Sequence, residues 1–543
     1  MIRQIRKFLS EQGADALLIT RTDSFLGEYF PPEAENLKKA TGFSGSAGMA
    51  VITKDQAVLF VDSRYTEQAK IESSFTVFEV PTQTTVSDWL VQHLPDAKIL
   101  FNPWHRSALW VKYMTEKKIG LYPIEQQDWQ RLFPPQTVEP APAFDYSYAG
   151  EETSIKIKRV IQFLAQKDLA AYLFTSPDSV SYLLNRRSLW VADYPVIFER
   201  YIVFRDGTYR ELKDGDRFSK QDKIGMDLTL TPDAIFRKIA QNAHIIHVPD
   251  PIAQIKAIKN KTEQDHIRRA CLFESTALCR FLAWVEQNRE SVDELDCTTK
   301  LRELRRRSPL YRGDSFDTIA AVGPHAALAH YQATEATNVP ITSAPLLLVD
   351  TGGNYLNGTT DMTRTICTGH PTALIKKRYT QVLKGHIALA TTPAKVGDLP
   401  ARLDQNARQF LRADGVDYGH ATGHGIGMYL AVHEAPPTIY EKADTPLLPG
   451  MLFSNEPAFY DIKNGFGIRL ENMILTRRGS DDNLILENLL WVPFDGRLVN
   501  FKDLTDSEKA WLRVYHHEVA VRIFPHLTAS EQQVLQPLLD FFA

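Results

Sequence analysis

Residues 346–364 read LLLVDTGGNYLNGTTDMTR. An apolar run from Leu346 to Val349 leads straight into Asp350. Glycines and then Asn357-Gly358 interrupt it, and a threonine-rich run carries Asp361. Asn-Gly is a strong reversal signal. The pattern therefore predicts neighbouring strands over 346–350 and 359–366 that can bring both carboxylates to one face. Taken alone, the pair reads more readily as loop aspartates that satisfy turn amides.

Two further segments change that balance. HATGHGIG at 420–427 sets His420 and His424 among glycines, and His433 follows. Glycines let a backbone approach a ligand closely. Their spacing is not the dinucleotide fingerprint, because the last glycine falls one place early and no ribose-binding acid follows correctly. The third segment, SNEP at 454–457 with GFGIRLEN at 465–472, sets Glu456 and Glu471 in apolar strand patterns over 452–456 and 467–474. Buried carboxylates are costly unless compensated. Four acids (Asp350, Asp361, Glu456, Glu471) and one imidazole (His424) match hard, oxygen-rich coordination of two divalent cations. Without metal the acids repel and their pKa values rise. Such a set favours manganese, with cobalt or zinc as alternatives.

Around this centre the chain is long enough for two to four domains: 543 residues, 44% of them hydrophobic, with a net charge of −4. The weak negative charge argues against a general nucleic-acid binder. The basic run Arg305-Arg306-Arg307 reads as a solvated helix face. Four cysteines without a metal or redox spacing suggest a reducing compartment. The charged start of the chain does not read as a signal peptide, and no apolar run approaches the roughly 18 residues of a membrane span. The expectation is a cytoplasmic protein.

An internal similarity marks the first half. Phe8-Leu9, Ala16, Thr20, Asp23 and Ser24 align without gaps to Phe163-Leu164, Ala171, Thr175, Asp178 and Ser179. Each copy reads as an amphipathic helix followed by a short apolar strand, which predicts two related α/β domains. Proline-rich stretches at 134–142 and 248–251 suggest linkers. The expected domains are 1–150, 151–253 and 254–543. A long helix is predicted over 255–286, and capping boxes at Thr505/Glu508 and Thr528/Glu531. In the tail, Trp511, Leu512, Tyr515, Val519 and Ile523 form an apolar stripe. It could serve a subunit contact or pack on its own domain. His433-Glu434 and His517-Glu518 begin a zinc-peptidase pattern, but Pro437 and Val521 stand where the second histidine should be.

At 350–364, 420–427, 432–434, 455–457 and 466–472, and at Gly323-Pro324-His325 through His330-Tyr331, the sequence resembles the pita-bread metallopeptidases, in the long three-domain form of the Xaa-Pro aminopeptidases. The first 250 or so residues resemble, more weakly, two creatinase-type N-terminal α/β domains. The resemblance implies an α/β (α+β) fold ending in a pita-bread catalytic domain with a helical tail. It implies that Asp350 chelates one metal, that His424 and Glu456 bind the other, and that Asp361 and Glu471 bridge both. It implies substrate contacts for His330, His420, His433 and Arg469, with His330, His433 and Glu456 acting in catalysis. The activity implied is removal of the N-terminal residue from peptides with proline second, by a hydroxide bridging two metals, in a homodimer. Departures are Thr351 for the frequent serine, Ala458-Phe459 for Gly-Tyr, and one extra residue between Glu456 and Glu471. The competing readings are an Xaa-Pro dipeptidase and a non-enzymatic binding module on the same fold.

Overall fold

The computed structural model describes residues 1–31, 34–135, 139–216 and 218–542. Residues 136–138, inside the first expected linker, lie outside the described residues. The chain divides into one compact unit of Met1–Ser147 with Glu151–Ala253, and another of Tyr148–Gly150 with Gln254–Ala543.

The first unit holds two mixed sheets built on one plan. Its opening helix, Ile2–Glu11, turns Ile5, Phe8 and Leu9 inward at helical spacing. The strand that follows, Ala16–Thr20, is buried along its whole length. It pairs antiparallel with Met49–Thr53 and parallel with Ile99–Phe101. In the second sheet the helix Thr153–Gln166 precedes the strand Ala171–Phe174. That strand pairs antiparallel with Tyr201–Phe204 and parallel with Lys223–Met226. The similarity legible in the sequence thus falls on the strand that organises each sheet.

The second unit carries the candidate site. The helix expected over 255–286 is interrupted: Pro251–Ala257 ends, and Lys261–Asn288 begins anew. The cause is a capping box. Asn260 Oδ1 accepts from the Glu263 N–H, and Glu263 Oε2 accepts from that of Asn260. The strand Leu346–Thr351 lies between Ile319–Val322 and Met362–Cys367, antiparallel to both. Asn357-Gly358 reverses the chain as predicted, joining Gly353–Tyr355 to Gly358–Thr359. A six-stranded sheet runs in the order Ala394–Lys395, Asn483–Asn488, Asn472–Arg478, Leu452–Asn455, Gly423–Gly425, Glu434–Ile439.

One sequence expectation changes here. Arg305 is not on a solvated face. It is fully buried, with Nε and Nη2 on Glu274, Nη1 3.1 Å from Asp314 and Nη2 2.7 Å from Thr351 Oγ1. A buried guanidinium requires such partners. Arg306 and Arg307 are exposed, as expected. In the tail both capping boxes form. Leu512, Tyr515, Val519 and Ile523 are buried in the core of their own unit, so the stripe is already covered.

Candidate metal centre

Three of the five expected ligands sit where the chain steps from one sheet to another. Asp361 lies between Gly358–Thr359 and Met362–Cys367, Glu456 between Leu452–Asn455 and Ala458–Asp461, and Glu471 between Phe466–Arg469 and Asn472–Arg478. These steps explain why the strands expected over 359–366 and 467–474 are each broken. At a step, neither sheet's pleat dictates the side-chain direction, so carboxylates can turn toward a common point. Asp350 lies within its strand, in register with Thr363. Asp361 immediately precedes the strand Met362–Cys367 that pairs with the Asp350 strand.

His424 is held by close strand packing. A Cβ at Gly423 would lie 1.9 Å from the Ser454 carbonyl oxygen, and one at Gly425 would lie 2.5 Å from that of Glu434. Only glycine fits at either place. The imidazole Nδ1 donates to the Gly425 carbonyl at 2.9 Å, because a carbonyl can only accept. That leaves Nε2 facing the acids, 3.4 Å from Asp361 Oδ2 and 3.5 Å from Glu456 Oε1. One donor atom each from Asp361, His424 and Glu471 lie within 4.8 Å of one another.

The other two acids are turned somewhat differently. Asp350 Oδ2 accepts from Arg469 Nη2 at 2.5 Å, and Glu456 Oε1 accepts from Ser454 Oγ at 3.1 Å. Glu471 Oε2 accepts from Thr363 Oγ1 at 2.8 Å. Asp350 Oδ1 and Glu471 Oε1 are buried with no hydrogen-bond partner among the described residues.

The electrostatics follow from this crowding. Burial, and then the neighbouring acids, push the Glu471 carboxyl well above the usual range. Burial likewise raises Glu456 and Asp350, although His424 opposes the shift at Glu456 and Arg469 at Asp350. At His424 burial disfavours the charged ring, but Asp361 and Glu456 outweigh it and hold the pKa up to about 9. Orphaned carboxylate oxygens and an imidazole nitrogen aimed at repelling acids fit hard divalent cations, whose charge would reverse each of these penalties.

The substrate-side residues gather less completely. The His433 ring packs edge-on against that of His424, with centroids 4.4 Å apart. His420 Nδ1 donates to the Ala421 carbonyl, and its Nε2 lies 3.0 Å from Tyr460 Oη. Tyr460 Oη accepts from Arg469 Nη1 at 2.5 Å, which links His420 through Arg469 to Asp350. Arg469 Nη2 also reaches the carbonyl of Ala329, directly before the half-buried His330. Tyr460 and Thr363 escaped the sequence reading. Thr363 could have been found, because it stands two residues from Asp361 in the threonine-rich run.

A buried donor set of this kind on such a sheet framework belongs to a metal-dependent hydrolase. Residues 265–478 match the model of metallopeptidase family M24, and residues 483–536 that of the C-terminal region of peptidase M24. Residues 1–125 and 133–210 match models of the creatinase/prolidase N-terminal domain. Probable Xaa-Pro aminopeptidase P from Aspergillus niger is 31% identical, over 95% of this chain and 94% of that protein. Its counterpart from Neosartorya fischeri is 32% identical, over 95% of this chain and 88% of that protein. Among solved structures, X-prolyl aminopeptidase from Caenorhabditis elegans, described as a cytosolic enzyme with a di-nuclear active site, superposes with a TM-score of 0.89. The identity is 28%, covering 98% of this chain and 95% of that one. The chain belongs to metallopeptidase family M24. Its fold is that expected from the sequence: creatinase-type N-terminal α/β domains followed by a pita-bread catalytic domain.

Proposed function

We propose that this protein is a metal-dependent aminopeptidase that removes the N-terminal residue from peptides with proline in second position. The observation that carries the reading is full-length correspondence with Xaa-Pro aminopeptidases, including the first 250 or so residues and the tail, in a chain that keeps all four acids and the imidazole. In this reading Asp350 would hold one ion and His424 and Glu456 the other, with Asp361 and Glu471 as ligands common to both. The oxygen-rich donor set favours manganese.

The chemistry that such a pair of ions supplies when bound is Lewis-acid activation of a water near neutral pH. The protein's own groups do the rest. Glu456 takes the proton of the attacking water and passes it to the leaving nitrogen. His433 and His330 donate toward the scissile carbonyl oxygen, where charge develops. Arg469 anchors Asp350 and, through Tyr460, orients His420 on the substrate side. A proline in second position makes the leaving nitrogen a tertiary amide without an N–H. That proton is therefore needed at a nitrogen that carries none.

Four free, buried cysteines and the likeness to a cytosolic X-prolyl aminopeptidase support a cytoplasmic location. The homodimer rests on the family resemblance, since the tail stripe is occupied within its own unit. The test is hydrolysis of Arg-Pro-Pro and Gly-Pro after chelation and manganese readdition. Release of arginine from Arg-Pro-Pro, restored only by metal, is expected. Cleavage of Gly-Pro alone would make the chain a dipeptidase.

A further inference from the structure

We infer that the C-terminal helix Asp506–Arg522 sets the metal affinity of the site, through Tyr515 and Arg364 acting as positioning residues for Glu471. The inference rests on the reading of Glu471 as a metal ligand.

Arg364 lies three residues after Asp361 and is 3% exposed. Its Nη1 donates to the carbonyls of Thr363 (2.9 Å) and Glu471 (2.7 Å). These two residues are already locked together. The Glu471 N–H donates to the Thr363 carbonyl at 3.0 Å, and the Thr363 hydroxyl donates to Glu471 Oε2 at 2.8 Å. Arg364 therefore closes a frame around the backbone that aims the Glu471 carboxylate.

The other side of the guanidinium faces the tail. Nη2 meets Asn472 Oδ1 at 2.8 Å, the Val492 carbonyl at 2.9 Å and Tyr515 Oη at 2.9 Å. Nε reaches the Pro493 carbonyl, and the cation sits 4.4 Å from the centre of the Phe494 ring. Among the described residues no carboxylate stands within ion-pair distance of Arg364. Its position is instead set by fixed dipoles, which act only in one geometry. Tyr515 Oη closes that geometry. It donates to the Val492 carbonyl at 2.9 Å while accepting from the Val492 N–H and from Arg364. The Tyr515 ring stacks on Trp511 with centroids 5.3 Å apart, and the helix is anchored by the buried Leu512 and Val519. An unbroken chain of hydrogen bonds thus runs from the tail helix to Glu471. Groups hydrogen-bonded directly to a metal ligand typically change affinity about 10–100-fold; Arg364 and Tyr515 act from further out, through the backbone of Glu471.

The test is calorimetric titration of manganese into the chelator-stripped, full-length protein. Tyr515→Phe and Arg364→Lys are each expected to bind two ions with a Kd several-fold weaker than wild type. Leu535→Ala makes a cavity in a different helix, Ala529–Asp540, and is expected to lower the melting temperature while leaving Kd unchanged. Wild-type Kd in a folded Tyr515→Phe would overturn the inference, as would an equal shift in Leu535→Ala. If Arg364→Lys fails to fold, Tyr515→Phe, which removes a single oxygen, still decides. A wild-type protein that binds no manganese would sink the metal-site reading and this inference with it. Two ions bound by wild type, with unshifted variants, would sink the inference alone.

Discussion

Glu434 Oε1 lies 2.5 Å from Lys259 Nζ, and both side chains are 1% exposed. Lys256 Nζ, also buried, stands 2.9 Å from the other oxygen. The backbone of Glu434 pairs with Gly425, the residue after His424, and Glu434 itself follows His433. Two ammonium groups on one carboxylate therefore pin the turn that carries His433 against His424. The His433-Glu434 pair is built as an anchor here, with no second histidine after it.

Removing that anchor leaves two buried lysines without their counter-charge, and breaking a buried pair costs about 3–5 kcal/mol. Glu434→Gln is expected to melt several degrees lower and to lose more than tenfold in kcat while still binding two metal ions. Lys256→Gln leaves the shorter Lys259 contact in place and is expected to do less. Thermal scans with steady-state kinetics check both. Wild-type turnover in folded Glu434→Gln would show that His433 needs no such pinning.

The carboxylates proposed to bridge the ions are the positions where loss is expected to be most severe. Asp361→Ala or Glu471→Ala removes oxygens proposed to hold both ions, so activity on an Xaa-Pro peptide is expected to vanish even in excess manganese. Retention of more than a few per cent of wild-type rate would count against either assignment.

His433 offers a contrast, because it touches His424 edge-on and is not proposed as a ligand. His433→Ala is expected to keep two metal ions by elemental analysis and to lower kcat about 100-fold or more, the range seen when a donor to a developing oxyanion is removed. Loss of bound metal in this variant would make His433 a ligand and undo the division of roles.

Much of this architecture was legible because the signals were local. The Asn357-Gly358 reversal and the capping boxes at Thr505 and Thr528 are settled by hydrogen bonds within a few residues, and all three form. The approach of Asp361, His424 and Glu471 was readable from chemistry, since buried acids beside an imidazole need a common cation. The sheet-to-sheet steps at Asp361 and Glu471 were not readable. The apolar pattern runs on through a step while the pairing partner changes, and a partner is a long-range fact. Arg305 was misread for the same reason. Its counter-ions Glu274 and Asp314 lie 31 and 9 residues away, outside the run itself, so nothing in Arg305-Arg306-Arg307 separates a buried guanidinium from a solvated one.

The metal-free protein should reveal the acid cluster through pH. Glu471, Glu456 and Asp350 all have carboxyl pKa values raised in the folded state, and His424 is raised to about 9. A raised folded-state pKa favours the protonated form. The associated stability is fully present below the unfolded values, about 4 for the acids and about 6.5 for histidine, and drains away as pH climbs through the folded ones. Carboxylates and imidazole therefore act in the same direction. Between about pH 5 and about pH 9 the chelated protein is expected to lose melting temperature steadily. The manganese-loaded protein should lose far less, because the cations compensate the ionised acids and take the lone pair of His424. Calorimetric scans of both forms at matched ionic strength check this. A gap between them that stays constant or narrows as pH rises would mean that the buried acids do not repel one another in the empty site. Their crowding would then not call for cations.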